Sequence, residues 1–347
     1  MPSVVLEKGA AQDFLEALIR DGPVMGPQER APGQYVFDWL KRAEDLVWDY
    51  VTTTLPPKKA FFPPRDPLLR FSRGEGSRVE PVVERDPFVL IGVHPCDLEG
   101  LAQLDWAFSQ TTVDPHYRAR REAATVIGVD CWPDQYCFCE SMGTLRPRNG
   151  FDLFLTPIAA GYHVEIGTAK GQALLDRHAT TRPVEPEDFA SAQAWYDQKR
   201  AKIQRRLNTP TFNLPLVLHA RKDSPIWEET AAKCFSCGSC NLVCPTCFCF
   251  DVHDELELNL QEGCRLRTWD ACQFVDFAKV AAGHNFRGQR LDRVRHRWNR
   301  KFLYLMVRYG RAFCTGCGRC ARACMADIGL VEVLNDLVAE QEEAAHA

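Results

Sequence analysis

Eight of the sixteen cysteines in this chain fall into two runs of one template. Cys234, Cys237, Cys240 and Cys244 form the first, with Pro245 next, and Cys314, Cys317, Cys320 and Cys324 form the second. Both read C-x2-C-x2-C-x3-C, the bacterial ferredoxin spacing for cubane iron–sulfur clusters. Three cysteines two residues apart wrap three iron corners as the backbone coils around a cluster. The fourth, after a longer gap, points away and ligates the other cluster of a pair. The expected sets are therefore Cys234, Cys237, Cys240 with Cys324, and Cys314, Cys317, Cys320 with Cys244. Structural zinc is the alternative, but zinc sites usually show separated C-x2-C pairs or mixed Cys/His sets. The chemistry this implies is storage and passage of electrons by two [4Fe–4S] clusters.

Eight cysteines lie outside these runs. Cys96 follows the apolar run Phe88 to Val93, Cys131 follows Ala124 to Val129, and Cys137 and Cys139 come shortly after. If the two runs are parallel strands of a βαβ unit, both end at the sheet edge where ligands usually bind. Four thiols there are a candidate third metal centre, an iron–sulfur cluster ahead of zinc. The alternative is that they pack as small buried thiols. Cys247 and Cys249 repeat the Cys-Phe-Cys pattern, and with Cys264 and Cys272 make a further set of four that no spacing aligns; a fourth cluster on them is the less favoured reading, and they are expected to line a cluster pocket. His94 and His284 are lone histidines, expected as hydrogen-bonding partners rather than ligands.

The elements that carry these residues divide the chain in two. Residues 1–225 read as an α/β domain and 226–347 as an α-helical ferredoxin domain with two [4Fe–4S] motifs. Phe14, Leu15, Leu18 and Ile19 form a helical stripe, and Val36, Leu40, Ala43, Val47 and Tyr50 suggest a second helix. Beyond a proline-rich stretch, Phe88–Val93, a helix over Asp97–Phe108 and Ala124–Val129 read as the βαβ unit. Phe151–Ile158 and Tyr162–Ile166 read as a hairpin turning at Gly161, and Gly167–Leu175 and Glu187–Arg206 as helices. Pro210, Pro215 and Pro225 place a boundary near 207–228. Between the two cysteine runs, residues 245–313 read as helical, with Phe274, Val275, Phe277, Ala278 and Ala281 as one stripe and Phe302, Leu303, Leu305, Met306 and Tyr309 as another. The acidic tail after Asn335 reads as a solvated helix.

Composition narrows the classes further. Hydrophobic residues are 46% and charged residues 25% of 347, values of an ordinary soluble globular chain. No apolar stretch approaches the roughly 18 residues that span a bilayer, and the start lacks the pattern of an export signal. The cytoplasm is the expected compartment, where cysteines serve as metal ligands or catalytic thiols more often than disulfides. The net charge of −4 gives no general attraction to nucleic acid or to an anionic membrane. The basic segment from Arg287 to Lys301, with Arg290, Arg293, Arg295, His296, Arg297 and Arg300, therefore reads as partner docking and as charge compensation beside a cluster. A nucleic-acid-binding iron–sulfur sensor is the competing class. No G-x-G-x-x-G or G-x4-G-K-[ST] string is present, so no dinucleotide or nucleoside triphosphate site is expected.

Taken jointly, several strings resemble a known family. They are Gly92-Val93-His94-Pro95-Cys96-Asp97, Cys137-Phe138-Cys139 with Ser141-Met142-Gly143-Thr144, Cys244 to Asp251, Arg267 to Cys272, Gly283 to Arg287, and Cys314 to Cys320. From Phe61 onward the chain resembles the β, iron–sulfur subunit of cytoplasmic group 3 [NiFe] hydrogenases (sulfhydrogenases) and the related A subunit of anaerobic sulfite reductase. The resemblance implies a non-catalytic electron-transfer subunit. Its partners would be a flavin subunit handling NAD(P)H and either the small and large [NiFe] hydrogenase subunits or a sirohaem reductase subunit. One departure is Met325, where proline often follows the last cluster cysteine; proline there would stiffen the turn.

Overall fold

The computed structural model describes residues 1–74, 76–110 and 112–346. The backbone gathers into two compact units. The first is Met1–Phe62, Val83–Gln135 and Thr144–Ile203; the second is Pro63–Val82, Tyr136–Gly143 and Gln204–Ala347.

The first unit is built on an eight-stranded mixed sheet. Its strands run in the order Arg182–Pro183, Ser3–Glu7, Gly161–Ile166, Leu153–Ile158, Ala124–Val129, Phe88–Val93, Val24–Ala31, Gln34–Trp39. The centre is parallel: Phe88–Val93 pairs in parallel with Ala124–Val129 and with Val24–Ala31. Such strands are covered on both faces, so they read as continuous apolar runs rather than alternating ones; Leu90, Ile91, Val126 and Ile127 are fully buried. Helix Lys8–Asp21 packs Ala11, Phe14, Leu15 and Leu18 into the same core, as their three- and four-residue spacing dictates. Helix Pro95–Ala107 starts with proline at its first turn, where the missing N–H costs nothing. The hairpin around residue 160 forms as its sequence suggests, with Leu153–Ile158 antiparallel to Gly161–Ile166. Beneath the sheet, the Lys199 ammonium pairs with Asp130 and donates to the Leu145 carbonyl at 2.9 Å.

The expected second helix over 36–50 does not form. Gln34–Trp39 is instead a strand antiparallel to Val24–Ala31, and only a short 3-10 turn, Ala43–Asp45, follows. Gly33, at φ +70°, makes the reversal. The apolar spacing there was coincidental: Phe37 belongs to a strand, and Tyr50 is buried outside any helix, with its hydroxyl donating to the Gly92 carbonyl at 2.7 Å.

The second unit joins helices to a four-stranded antiparallel sheet, in the order Phe250–Leu256, Glu262–Trp269, Arg65–Ser72, Val79–Pro81. Part of the stretch expected to be helical is thus strand, Phe250–Leu256 and Glu262–Trp269, and residues 274–281 form only the 3-10 turns Asp276–Ala278 and Ala281–Gly283. Opposite charges facing across the sheet favour this outcome: Arg265 meets Asp254 at 2.7 Å, and buried Arg267 meets Asp66 at 2.6 Å. The remainder is helical as expected. Arg290–Asn299 runs through a π-helical turn, Arg300–Tyr304, into Leu305–Tyr309. Val294, Trp298 and Phe302 from this rod pack with Leu218, Trp227, Leu334 and Leu337. The tail helix, Leu330–His346, therefore has one buried face and is not solvated all round. No helix among the described residues is long and apolar enough to cross a membrane.

Candidate metal centres

Both cysteine runs fold into the same local shape within the second unit. Each run places its third cysteine on a one-turn helix, Ser239–Leu242 or Arg319–Arg322, and these two helices pack against each other. Each helix is entered through a left-handed glycine, Gly238 at φ +75° and Gly318 at φ +72°. One position before the second cysteine the chain is left-handed again, at Ser236 and at Gly316. Backbone N–H groups point at sulfur: Ser236 donates to Cys234 Sγ at 3.4 Å and Ile328 to Cys324 Sγ at 3.3 Å. Such hydrogen bonds favour a sulfur that carries negative charge.

Two buried cations face the thiols. The Lys301 ammonium lies 3.2 Å from Cys244 Sγ and donates to Thr246 Oγ1 at 3.0 Å and to the Phe313 carbonyl at 2.8 Å. Its pKa is raised despite burial, by Cys244 first, then Cys247 and Cys314. Arg297 is 3% exposed, and its charge is favoured by Cys240, Cys320, Cys247 and Cys244. Burial opposes ionisation of the thiols: it pushes Cys240 up to about 11 and Cys314 up to about 12. A metal bound by thiolate reverses that preference and releases the protons. Thiols that resist ionisation alone, set beside buried cations, are a donor set that fits an anionic iron–sulfur cluster in each run. Cys314 is influenced by both Cys320 and Cys244, which brings the last cysteine of the first run into the field of the second.

Sequence reasoning grouped Cys96, Cys131, Cys137 and Cys139 together. The structure distributes them over both units. Cys96 and Cys131 follow the adjacent parallel strands Phe88–Val93 and Ala124–Val129 in the first unit, at one sheet edge. Cys137 and Cys139 belong to the second unit, on a segment laid along the second cysteine run. There the Phe138 N–H donates to the Gly316 carbonyl at 2.9 Å, and Cys137 Sγ lies 3.9 Å from the Cys317 carbonyl. The approach is so close that a Cβ on Gly316 would stand 2.6 Å from Cys139 Cα.

Of the unaligned thiols, Cys247 and Cys272 lie on either side of the buried Asn241 amide, at 3.7 and 3.3 Å. With Cys249 they line a cavity of about 300 Å3, which Arg287, Arg297, Arg300 and Lys301 also line. His296 shares that cavity; burial, then Arg287 and Arg300, bring its pKa down to about 4. Cys264 lies elsewhere, on strand Glu262–Trp269. Among the described residues no three of Cys, His, Asp and Glu close on the point a single metal ion would occupy. His94 stacks on Tyr50 at 4.0 Å between ring centroids, and exposed His284 meets the edge of Phe286. Asn241 was missed from sequence, because a lone amide between two cysteines carries no signal of what will pack on it.

Comparison with known proteins agrees with this geometry. Residues 233–328 match the family described as a 4Fe-4S dicluster domain. The chain is 38% identical over 327 residues to sulfhydrogenase 2 subunit beta of Pyrococcus furiosus, an alignment covering 94% of this chain and 95% of that protein. On likeness over nearly its whole length, the chain belongs to the family of iron–sulfur β subunits of sulfhydrogenases.

Proposed function

We propose that this chain is the electron-transfer subunit of a multi-subunit oxidoreductase, working between a flavin subunit that handles NAD(P)H and a catalytic subunit of the [NiFe] hydrogenase kind. The observation that carries the reading is the pair of like-folded cysteine runs facing the buried cations Lys301 and Arg297. A bound [4Fe–4S] cluster takes up and returns one electron at a time. Cys234, Cys237, Cys240 and Cys324 would hold one cluster; Cys314, Cys317, Cys320 and Cys244 would hold the other. Lys301 and Arg297 offset the negative charge of thiolates and cluster, which favours the reduced state. Ser236 and Ile328 orient sulfur lone pairs through their N–H groups.

The nucleic-acid reading loses support from burial. Arg293 spends its guanidinium on the carbonyls of Gln273, Arg287 and Gly288, and Arg297 lies inside the unit, so neither offers a cation to phosphate. A sirohaem sulfite reductase complex remains the second reading for the parent enzyme, because the two assemblies share this kind of subunit. A third centre on Cys96, Cys131, Cys137 and Cys139 is proposed from the sequence alone, and an unchanged iron content in Cys131→Ser would sink it.

The test of function is the intact complex, isolated anaerobically through a tag on this chain. Co-isolation of a flavoprotein and a nickel-containing subunit is expected, with the chain's clusters reduced by hydrogen or by NAD(P)H as seen by paramagnetic resonance. A co-isolated sirohaem protein would move the assignment to the second reading. Clusters that neither donor reduces would overturn the electron-transfer role.

A further inference from the structure

The cavity beside the two runs is lined by thiols, and by the cations Arg287 and Arg300, that the dicluster arrangement does not use. Three thiols, from Cys247, Cys249 and Cys272, line it together with the His296 imidazole. Four cations line it too, of which Lys301 and Arg297 also face the ferredoxin thiols, and no carboxylate does. Arg297 is 3% exposed with its Nε hydrogen bonded to nothing, and Arg287 Nε is likewise buried without an acceptor. An interior with that excess of positive charge calls for an anionic occupant. The rest of the wall is apolar, from Phe248, Phe277, Phe313 and Leu305. A cationic wall rich in thiols and aromatic rings is the environment that suits a metal–sulfur cluster.

We propose that Cys247, Cys249, Cys272 and His296 hold an additional [4Fe–4S] cluster, beyond the two assigned to the ferredoxin runs. The inference rests on the reading of those runs as cluster sites, since they supply its redox partner. The occupant is a cluster rather than a zinc ion because the donors do not close on one point; a cubane accepts ligands at separate corners, whereas a zinc ion needs all four within about 2.3 Å. The Asn241 amide, which lies against Cys247 and Cys272 and follows Cys240 directly, ties this site to the first run. The redox step is a single electron: the cluster is reduced by one electron as a neighbouring reduced ferredoxin-type cluster is oxidised by one. No proton or bond is exchanged.

The experiment uses the full-length chain isolated anaerobically. The double variant Cys247→Ser/Cys249→Ser and the single variant Cys272→Ser are compared with Cys264→Ser, which lies outside the cavity. The first two are expected to lose about four irons and four sulfides per chain, while the paramagnetic signals of the paired ferredoxin clusters persist; Cys264→Ser is expected to keep its full content. Iron and sulfide unchanged in both cavity variants would overturn the proposal, and so would a cavity that binds only free inorganic phosphate. Cys234→Ala is the control on the underlying reading, because iron unchanged there would mean that the dicluster assignment is what fails. His296→Cys is the second readout, for which a perturbed spectrum at full iron content is expected. An unaltered spectrum would remove His296 from the ligand set.

Discussion

The two cysteine runs share spacing and backbone shape and differ in what covers them. In the first, Cys237 is exposed, Phe235 is 68% exposed, and Ser236 occupies the left-handed position. In the second, Cys314 is buried, Thr315 is 1% exposed, and Gly316 takes that position beneath the Tyr136–Cys139 segment. Even the thiols diverge: the Ser239 hydroxyl brings Cys237 down, whereas burial pushes Cys314 up to about 12. One template thus yields a site near the surface and a site in the interior. The first suits exchange with an outside partner, and the second suits relay within the unit, since a cluster's potential follows its exposure and hydrogen bonding.

Exchanging the fourth ligands should produce the largest effect. Cys244→Ala is expected to damage the cluster of the covered run, and Cys324→Ala that of the open one, each read as loss or conversion of one of two paramagnetic signals. If each substitution harmed only its own run, the crossed arrangement would be wrong and the comparison would reduce to two independent sites. Swapping the left-handed residues comes next. Gly316→Ser should cost at least the ~1–2 kcal/mol of a left-handed residue with a side chain, plus the collision with Cys139, visible as a lower melting temperature. Ser236→Gly should be close to neutral, because the open run already accommodates a side chain there. Equal effects from the two would mean that the Tyr136–Cys139 cover does not matter.

The redox predictions are smaller. Lys301→Met removes a buried positive charge beside Cys244, so the potential of the covered cluster should fall while that of the open cluster changes less; potentiometric titration reads both. Ser239→Ala deletes the hydroxyl that favours thiolate at Cys237, and should lower only the open cluster's potential, by less than the lysine change. A larger shift from the serine would reverse the assignment of which site is better insulated.

Much of this was readable in the residues. Phe88–Val93 and Ala124–Val129 announce buried parallel strands through continuous β-branched and aliphatic runs, and the helix between them follows from its length and its opening proline. The stretches over 36–50 and 250–269 were misread, because strand formation there depends on partners far along the chain. Gln34–Trp39 needs Val24–Ala31, and Glu262–Trp269 needs Arg65–Ser72, almost two hundred residues away. Helical spacing of apolar residues is local and carries no information about such pairing.

The division holds for the candidate sites as well. Cysteine spacing by itself marked out the two runs and pointed to 4Fe-4S chemistry, because a cubane's corners demand ligands at short, regular intervals, and the 4Fe-4S dicluster domain matched over residues 233–328 agrees. Only the tertiary structure decided which run is covered, that Lys301 and Arg297 turn inward to the thiols, that Cys137 and Cys139 lie along the second run, and that Cys272 joins Cys247 while Cys264 does not. Those outcomes rest on burial and on contacts between distant segments, and the free energy of placing a charge or a thiol in the interior depends on everything packed around it.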